Sequence, residues 1–226
     1  MKKALITGAS RGIGRALAER FMKEYELYLI CHTNSDLMAD LPGVHFSGDI
    51  GDFGFVSKVF EEIPQLDLLI NNAGIAYYGL LQDMDRASWD KVINTDLTSA
   101  YNTSHFAANL MVKVHSGRII NISSQWGCIG ASCEVAYSAA KGGINAFTKA
   151  LAKELAPSGI AVNALALGMV DTDMNNNLNE DEIASIIEEI PAGRICSPSE
   201  AAEAVYLLSK MPTYLTGQII SMNGGW

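Results

Sequence analysis

The sequence lacks the features that mark several large classes of protein. No apolar run approaches the roughly 18 residues that a membrane-spanning helix needs. Basic residues are few, 16 against 25 acidic ones, so the formal net charge is −9 and no basic stripe for nucleic acid is present. Arg11 interrupts the apolar stretch that follows the first lysines, which is not typical of a signal peptide. We therefore expect a cytoplasmic protein that binds neither nucleic acid nor membrane.

Patterns typical of metal sites and disulfide frameworks are also missing. The four cysteines include no CxxC spacing, and the four histidines form no HxxxH or HExxH pattern. The cysteines are therefore interpreted as free thiols in a reducing compartment. We expect no metal site.

What the sequence does contain is apolar material for a large core. Hydrophobic residues make up 49% of the 226 positions and charged residues 18%, as in one ordinary globular domain spanning residues 1–226. Short apolar segments alternate with longer segments of helical period. The predicted strands are residues 3–7, 26–31, 44–47, 67–71, 118–123, 160–165 and 218–221, and the predicted helices are residues 12–24, 52–63, 87–112, 135–156 and 198–209. The strands are apolar throughout, which implies burial on both faces. The pattern predicts an α/β fold, a single Rossmann-type doubly wound parallel sheet with helices on both faces.

One long insertion, residues 174–191, separates core elements near the end of the chain. It begins with an asparagine-rich stretch and in this architecture would lie beyond the carboxyl ends of the strands, where ligands bind. We expect it to form a substrate lid. The alternative is that half of it is a plain surface helix.

A glycine-rich turn follows the first predicted strand and opens the first predicted helix. Gly8 permits the tight turn, Gly12 allows the backbone to approach a pyrophosphate, and Gly14 allows helix and strand to pack closely. The free N–H groups of the helix start would then face the phosphates. The predicted dinucleotide contacts here are Gly8, Ser10, Arg11, Gly12, Ile13 and Gly14. The alternative is that the glycines serve the turn alone.

The residues after the second predicted strand bear on which dinucleotide is bound. That strand is followed by His32, Thr33 and Asn34, with no carboxylate before Asp36 to accept from ribose hydroxyls or repel a 2′-phosphate. Arg11 supplies a matching cation, unless it is only a solvated loop charge. The sequence favours NADP(H) over NAD(H), with His32 and Thr33 beside the phosphate.

Three residues form the candidate catalytic group. Tyr137 and Lys141 are four positions apart and share one face of a predicted helix, and Ser124 ends an apolar strand thirteen residues earlier. A tyrosine and a lysine at this spacing also occur by chance. The serine and the glycine-rich turn make the pattern specific.

The order of these motifs resembles that of the short-chain dehydrogenase/reductase family over nearly the whole chain. The resemblance rests on TGASRGIG at 7–14, NNAG at 71–74, Ser124, YSAAK at 137–141, Asn163 and the final glycines at 224–225. VDTDM at 170–174, IPAGR at 190–194 and YLTG at 214–217 are most similar to the 3-oxoacyl-[acyl-carrier-protein] reductases of that family.

The resemblance implies a mechanism. Tyr137 would donate a proton to the substrate oxygen, Ser124 would hold that oxygen, and Lys141 would favour the phenolate and anchor the nicotinamide ribose. Further cofactor contacts would come from Asp49 at the end of the third strand, and from Ile50, Asn72, Ala73, Gly74, Gly168, Val170 and Thr172.

The family resemblance also implies a reaction and an assembly. The expected activity is reduction of a 3-oxoacyl thioester by NADP(H), with acyl carrier protein as a candidate partner, in a homotetramer. Helices 87–112 and 135–156 and the last strand would form its interfaces. Another ketone, alcohol or sugar substrate, and a low-activity nucleotide-sensing relative, stay open as alternatives.

Three departures from the family pattern affect the site. Asp96 stands where relatives carry an active-site asparagine, and Asn94 would point about 200° away from it on a helix. We expect Asp96 to bind the water of the proton relay and, as an anion, to raise the pKa of Tyr137. Leu167 replaces a proline, which would loosen the backbone, and Asn223 replaces an aspartate at the surface or an interface.

The basic surface for an acidic carrier protein is thin. Lys113, His115 and Arg118 lie near the start of strand five, and residues 175–177 are asparagines without a cation. A smaller thioester, or a different ketone, therefore fits this surface almost as well.

Overall fold

A computed structural model describes residues 1–33 and 35–226, so that Asn34, named above beside the cofactor site, lies outside the described residues. Within these ranges seven parallel strands form one sheet in the order β3-β2-β1-β4-β5-β6-β7. Their bounds are β1 (Lys2–Thr7), β2 (Tyr25–Cys31), β3 (Val44–Ser47), β4 (Leu68–Asn71), β5 (Gly117–Ser124), β6 (Ile160–Leu167) and β7 (Ile219–Met222). The predicted Rossmann-type doubly wound sheet is confirmed.

Helices cover both faces of the sheet. They are α1 (Gly12–Phe21), α2 (Phe53–Glu61), α3 (Arg86–Ile93), α4 (Ser99–Val114), the one-turn α5 (Trp126–Ile129), α6 (Val135–Leu155), α7 (Glu180–Glu189) and α8 (Pro198–Lys210). None of the helices in the described part of the chain is long and apolar enough to cross a bilayer.

Two helix predictions need correction. The helix predicted over 12–24 ends at Phe21, because the chain must turn before β2 begins at Tyr25. The single helix predicted over 87–112 is interrupted by a π-turn over Asn94–Thr98, which separates α3 from α4. A π-turn adds one residue to the local helical repeat and so changes which side chains face the core.

The core lies on both sides of the sheet because successive strand residues point to opposite faces. In β1, Ala4 and Ile6 pack with α1 and α8 on one face, whereas Leu5 packs with α2 and α4 on the other. All three side chains are fully buried. The uniformly apolar strands are therefore explained by two separate apolar layers.

A chain of buried polar side chains ties the helices of one face to the sheet. The Asn71 amide donates to Asn121 Oδ1 at 2.9 Å, and the Asn121 amide donates to Thr148 Oγ1 at 2.8 Å. The Thr103 hydroxyl donates to Asn71 Oδ1 at 2.6 Å. Because Thr103 lies on α4 and Thr148 on α6, these bonds fix both helices relative to β4 and β5.

The glycine-rich turn is crowded against its own backbone. Gly8 has a φ of 67° and Gly12 a φ of 53°, both in the left-handed region that favours glycine. A Cβ atom on Gly14 would overlap the carbonyl oxygen of Gly8. Gly14 is therefore required for the close approach of α1 to the end of β1.

Replacing Gly14 with alanine should destabilise the protein by roughly 1–3 kcal/mol, because the added methyl group displaces backbone rather than a flexible side chain. Gly142→Ala is the matched control: it lies inside α6, and its nearest new contact would be 3.5 Å away. Thermal denaturation of both variants measures the difference. Equal melting temperatures for Gly14→Ala and the wild type would contradict this account of the turn.

Candidate active site

One cavity of about 480 Å³ lies at the carboxyl ends of the central strands. The glycine-rich turn forms one end, and residues from the 174–191 segment, including Ile186, form the other. Ser124 and all the predicted cofactor residues line it: Gly8, Ser10, Arg11, Gly12, Ile13, Gly14, His32, Thr33, Asp49, Ile50, Asn72, Ala73, Gly74, Tyr137, Lys141, Gly168, Val170 and Thr172. Asp96 does not line the cavity.

The glycine end of the cavity suits a phosphate-bearing ligand. Arg11 precedes α1 in extended conformation, no side chain caps the helix start, and its first turn contains no acidic residue. The first N–H groups of α1 therefore lack side-chain partners and carry the positive end of the helix dipole. The site has the form that a pyrophosphate requires.

The adenosine side of the cavity carries one exposed guanidinium. Arg11 lies 3.7 Å from Asp173 in an exposed ion pair, whereas Arg15 is engaged by Asp40 and Glu19. Asp49 was expected to end the third strand, but β3 ends at Ser47, and Asp49 Oδ1 accepts from the Gly51 N–H at 2.8 Å. Of these two arginines, Arg11 has the more exposed guanidinium.

The candidate catalytic residues meet at the middle of the cavity. Tyr137 and Lys141 lie one turn apart on α6, with Lys141 Nζ 5.4 Å from the centre of the tyrosine ring. Lys141 Nζ donates to the Ile122 carbonyl oxygen at 3.1 Å. Ser124 ends β5, and its hydroxyl oxygen accepts from the Trp126 N–H at 3.1 Å.

Asp96 lies behind Lys141 and contacts it directly. Asp96 Oδ2 is 3.3 Å from Lys141 Nζ, and Oδ1 accepts from the Ile75 N–H at 2.8 Å. The carboxylate is fully buried, in the π-turn that precedes α4. Asp96 was expected to bind the water of the proton relay; the structure shows an ion pair with Lys141, and the contact with the water stays a prediction. In this structure Asp96 contacts Lys141 and does not line the cavity, and its predicted catalytic role stays a prediction.

The pKa values of the three groups depend on one another. Burial raises the pKa of Tyr137 above its usual value, Lys141 lowers it, and Asp96 raises it again. Burial lowers the pKa of Lys141, but Asp96 and Tyr137 together raise it by more. The net pKa therefore lies above the usual value, which keeps the ammonium charged. Burial raises the pKa of Asp96 although Lys141 opposes the change. Lys141 was expected to lower the pKa of Tyr137 and Asp96 to raise it; both effects have the expected direction, and burial is the larger contribution that raises this pKa.

Two further departures have structural consequences. Leu167 was expected to loosen the backbone. Instead it pairs with Ser124 in β5 and with Met222 in β7, so that a neighbouring strand lies on each side of it in the sheet. Asn223 was interpreted as a surface or interface change. Its amide donates to Gln125 Oε1 at 2.9 Å and to the carbonyl oxygen of Trp226 at 2.6 Å, which fixes the chain end against the cavity.

The substrate half of the cavity contains residues that the sequence reasoning missed. Tyr78, Trp126, Glu134 and Trp226 line it, and the two indole rings meet edge to face with centroids 4.9 Å apart. Glu134 lies one turn before Tyr137, and that spacing alone could have pointed to it. Trp126 and Trp226 are separated by a hundred positions, so only the fold brings them together.

The asparagine-rich insertion contains a capped helix. Asn179 and Glu182 form a reciprocal capping box at the start of α7. Leu178 and Ile186 line the cavity.

Among residues 1–33 and 35–226, no group of histidine, cysteine, aspartate and glutamate has the arrangement of a metal site.

Comparisons with known proteins agree with this geometry. The short chain dehydrogenase family model matches residues 2–183. The chain belongs to that family. It is 42% identical to YmfI, an uncharacterized oxidoreductase of Bacillus subtilis (strain 168), covering 100% of this chain and 98% of that protein. It is 38% identical to the 3-oxoacyl-[acyl-carrier-protein] reductase FabG of Vibrio harveyi, over 99% of this chain and 96% of the relative.

A solved structure is also similar. That structure is of a protein from Agrobacterium tumefaciens that is provisionally assigned as a gluconate dehydrogenase. It superposes with a TM-score of 0.93 at 31% identity, over 99% of this chain and 95% of its own. The chain is therefore a short-chain oxidoreductase, a class that uses nicotinamide cofactors.

Asp96→Asn should shift the pH dependence of alcohol oxidation to lower pH. In the mechanism that the family resemblance implies, oxidation needs the phenolate of Tyr137, and Asp96 raises the pKa of that phenol. Removing the anion lowers this pKa, so the acidic limb of the kcat/KM profile should move down by about one pH unit.

Asp90→Asn, on exposed α3, is the control for the same change of charge away from the site. Breaking a buried ion pair costs roughly 3–5 kcal/mol, so melting temperatures must show that Asp96→Asn remains folded. Superimposable profiles for folded Asp96→Asn and the wild type would refute the electrostatic role.

Proposed function

We propose that the protein reduces a 3-oxoacyl thioester, carried by coenzyme A or acyl carrier protein, to the 3-hydroxyacyl thioester with NADPH. The observation that carries this proposal is that Ser124, Tyr137 and Lys141 line the same cavity as the glycine-rich turn. The FabG relatives, at up to 38% identity over 99% of the chain, favour the thioester among carbonyl substrates.

The residues of this chain divide the chemistry among them. The chemistry that a bound nicotinamide dinucleotide supplies is hydride transfer to the carbonyl carbon. Ser124 holds the carbonyl oxygen, and Tyr137 donates the phenolic proton to that oxygen as negative charge develops on it. Lys141 stabilises the phenolate left behind and presents its remaining N–H to the ribose side. Solvent then returns the proton to Tyr137.

The carrier of the acyl group is constrained by charge. Arg118 is not available for docking, because its guanidinium is buried and donates to the carbonyl oxygens of Leu208 and Met211. Lys113 and His115 precede β5 and so lie at the amino edge of the sheet, away from the cavity. Near the cavity, α7 has five acidic residues and no basic one. These charges disfavour any thioester whose anionic carrier lies close to α7, and they favour a smaller, uncharged thioester.

A second candidate is oxidation of a secondary alcohol or sugar. The provisional assignment of the Agrobacterium tumefaciens structure as a gluconate dehydrogenase favours it. A non-catalytic nucleotide-sensing role is disfavoured by the complete set of Ser124, Tyr137 and Lys141.

We extend the proposal to the lid, the assembly and the compartment. The segment 174–191 closes over the substrate, since Met174, Leu178 and Ile186 line the cavity. A homotetramer is supported by an exposed aromatic surface, where Phe53 and Tyr101 stack with centroids 6.4 Å apart. Four free cysteines support a reducing, cytoplasmic location.

Tyr137→Phe should lower kcat for acetoacetyl-coenzyme A with NADPH by about 100-fold or more, because the proton donor is lost. Tyr214→Phe, at a fully exposed position, is the control for the same loss of a hydroxyl. A panel of diketones, sugars and steroids should be turned over more slowly than the thioester. Faster turnover of any of these compounds than of the thioester would contradict the proposed substrate class. Unchanged turnover in Tyr137→Phe would contradict the proposed role of Tyr137 as proton donor.

Arg11→Gln should lower kcat/KM for NADPH by about tenfold or more while changing NADH less, because a charge-assisted hydrogen bond to the 2′-phosphate is lost. Asp173→Asn should have the opposite effect on NADPH, since it frees Arg11 from its ion pair. Cofactor titration of both variants measures the two preferences. An equal loss of kcat/KM with NADPH and with NADH would contradict a contact between Arg11 and the 2′-phosphate.

A further inference from the structure

The substrate half of the cavity contains a buried carboxylate that the mechanism above does not use. Glu134 is 5% exposed and lines the cavity one turn before Tyr137. It stands at the start of α6, yet its side chain makes no capping hydrogen bond to the helix. Helix capping therefore does not explain a carboxylate at this position.

The surroundings of Glu134 contain hydrogen-bond donors but no cation. Burial raises its pKa, and hydrogen bonding from Tyr78 and Trp126 lowers it. Within residues 1–33 and 35–226, no lysine, arginine or histidine forms an ion pair with it. The pKa of Tyr78 is in turn raised to about 12, by burial and then by Glu134. A buried carboxylate without a cation is costly unless further donors reach it.

The rest of this half of the cavity is largely apolar. The rings of Trp126 and Trp226 form one wall, and Ile186 contributes from α7. A ligand in this space meets a single buried anion among aromatic and aliphatic surfaces. Such a pocket takes an uncharged group that carries one hydrogen-bond donor, and it repels a second carboxylate.

We propose that Glu134 determines the substrate class: it accepts a hydrogen bond from an N–H or O–H group on the thioester side of the substrate, and it disfavours substrates that carry a carboxylate on that side. This inference rests on the proposed function. In a 3-oxoacyl thioester of coenzyme A, the donor is the amide N–H beyond the sulfur. A free 3-oxo acid places its carboxylate on the same side of the ketone and is rejected.

The test compares three ketones that differ in one feature at a time. Acetoacetyl-N-acetylcysteamine has the amide donor, S-ethyl acetothioacetate lacks it, and acetoacetate carries the negative charge. For wild-type enzyme with NADPH, kcat/KM should fall in that order. Glu134→Gln should raise the ratio of acetoacetate to S-ethyl acetothioacetate by about tenfold or more, because the like charge is gone. It should also reduce the advantage of the amide-bearing thioester severalfold, because a neutral acceptor bonds more weakly.

Two controls separate specificity from a general effect. Glu134 also contributes to raising the pKa of Tyr137, but that effect is common to all three ketones and cancels in the ratios. Glu188→Gln removes an equal charge from the exposed side of α7 and should leave the ratios unchanged. Glu134→Asp keeps the charge and should keep the rejection of acetoacetate. Melting temperature and NADPH affinity of each variant report on folding.

The outcomes distinguish this inference from the proposed function. If thioesters are poor substrates but ethyl pyruvate is reduced, the thioester proposal fails, and the pyruvate to ethyl pyruvate ratio then tests Glu134. If no ketone is turned over, calorimetric binding of acetoacetate and S-ethyl acetothioacetate to the enzyme–NADPH complex gives the same ratio. Ratios that are the same in Glu134→Gln and the wild type, by turnover or by binding, would overturn the role of Glu134.

Discussion

The chemistry of the site depends on keeping one ammonium charged inside the protein. Lys141 is almost fully buried, and burial alone would favour its neutral form. Asp96 at 3.3 Å and the Ile122 carbonyl at 3.1 Å offset that tendency. The same carboxylate opposes ionisation of Tyr137. Asp96 therefore keeps Lys141 charged, but it also cancels part of the lowering of the Tyr137 pKa that Lys141 causes.

The fold makes this arrangement possible through the helices beside the sheet. Asp96 reaches Lys141 because a π-turn precedes α4, and α4 and α6 are both tied to the strands through Thr103, Thr148 and Asn121. Asp96 also receives the N–H of Ile75, in the loop after β4. The ion pair thus joins three segments at the cavity floor, and its geometry is set by packing rather than by local sequence.

Sequence reasoning recovered what depends on local patterns. The seven strands follow from apolar segments, and Tyr137, Lys141 and the glycine-rich turn follow from spacing along single elements. The π-turn was missed because residues 94–98 have no breaker such as proline or glycine to mark it. The pairing of Trp126 with Trp226 was missed because it joins positions far apart in the chain, which no periodicity reports.

The two ends of the cavity differ in charge, and this difference determines which part of a bound ligand each end attracts. The glycine end presents an uncapped helix start and the guanidinium of Arg11, which attract phosphate groups. The other end presents Glu134 and the acidic helix α7, which repel them. A dinucleotide entering in reverse would place its pyrophosphate beside a buried carboxylate without a cation to offset it. The charge distribution therefore favours the orientation in which a dinucleotide places its pyrophosphate at the glycine-rich turn.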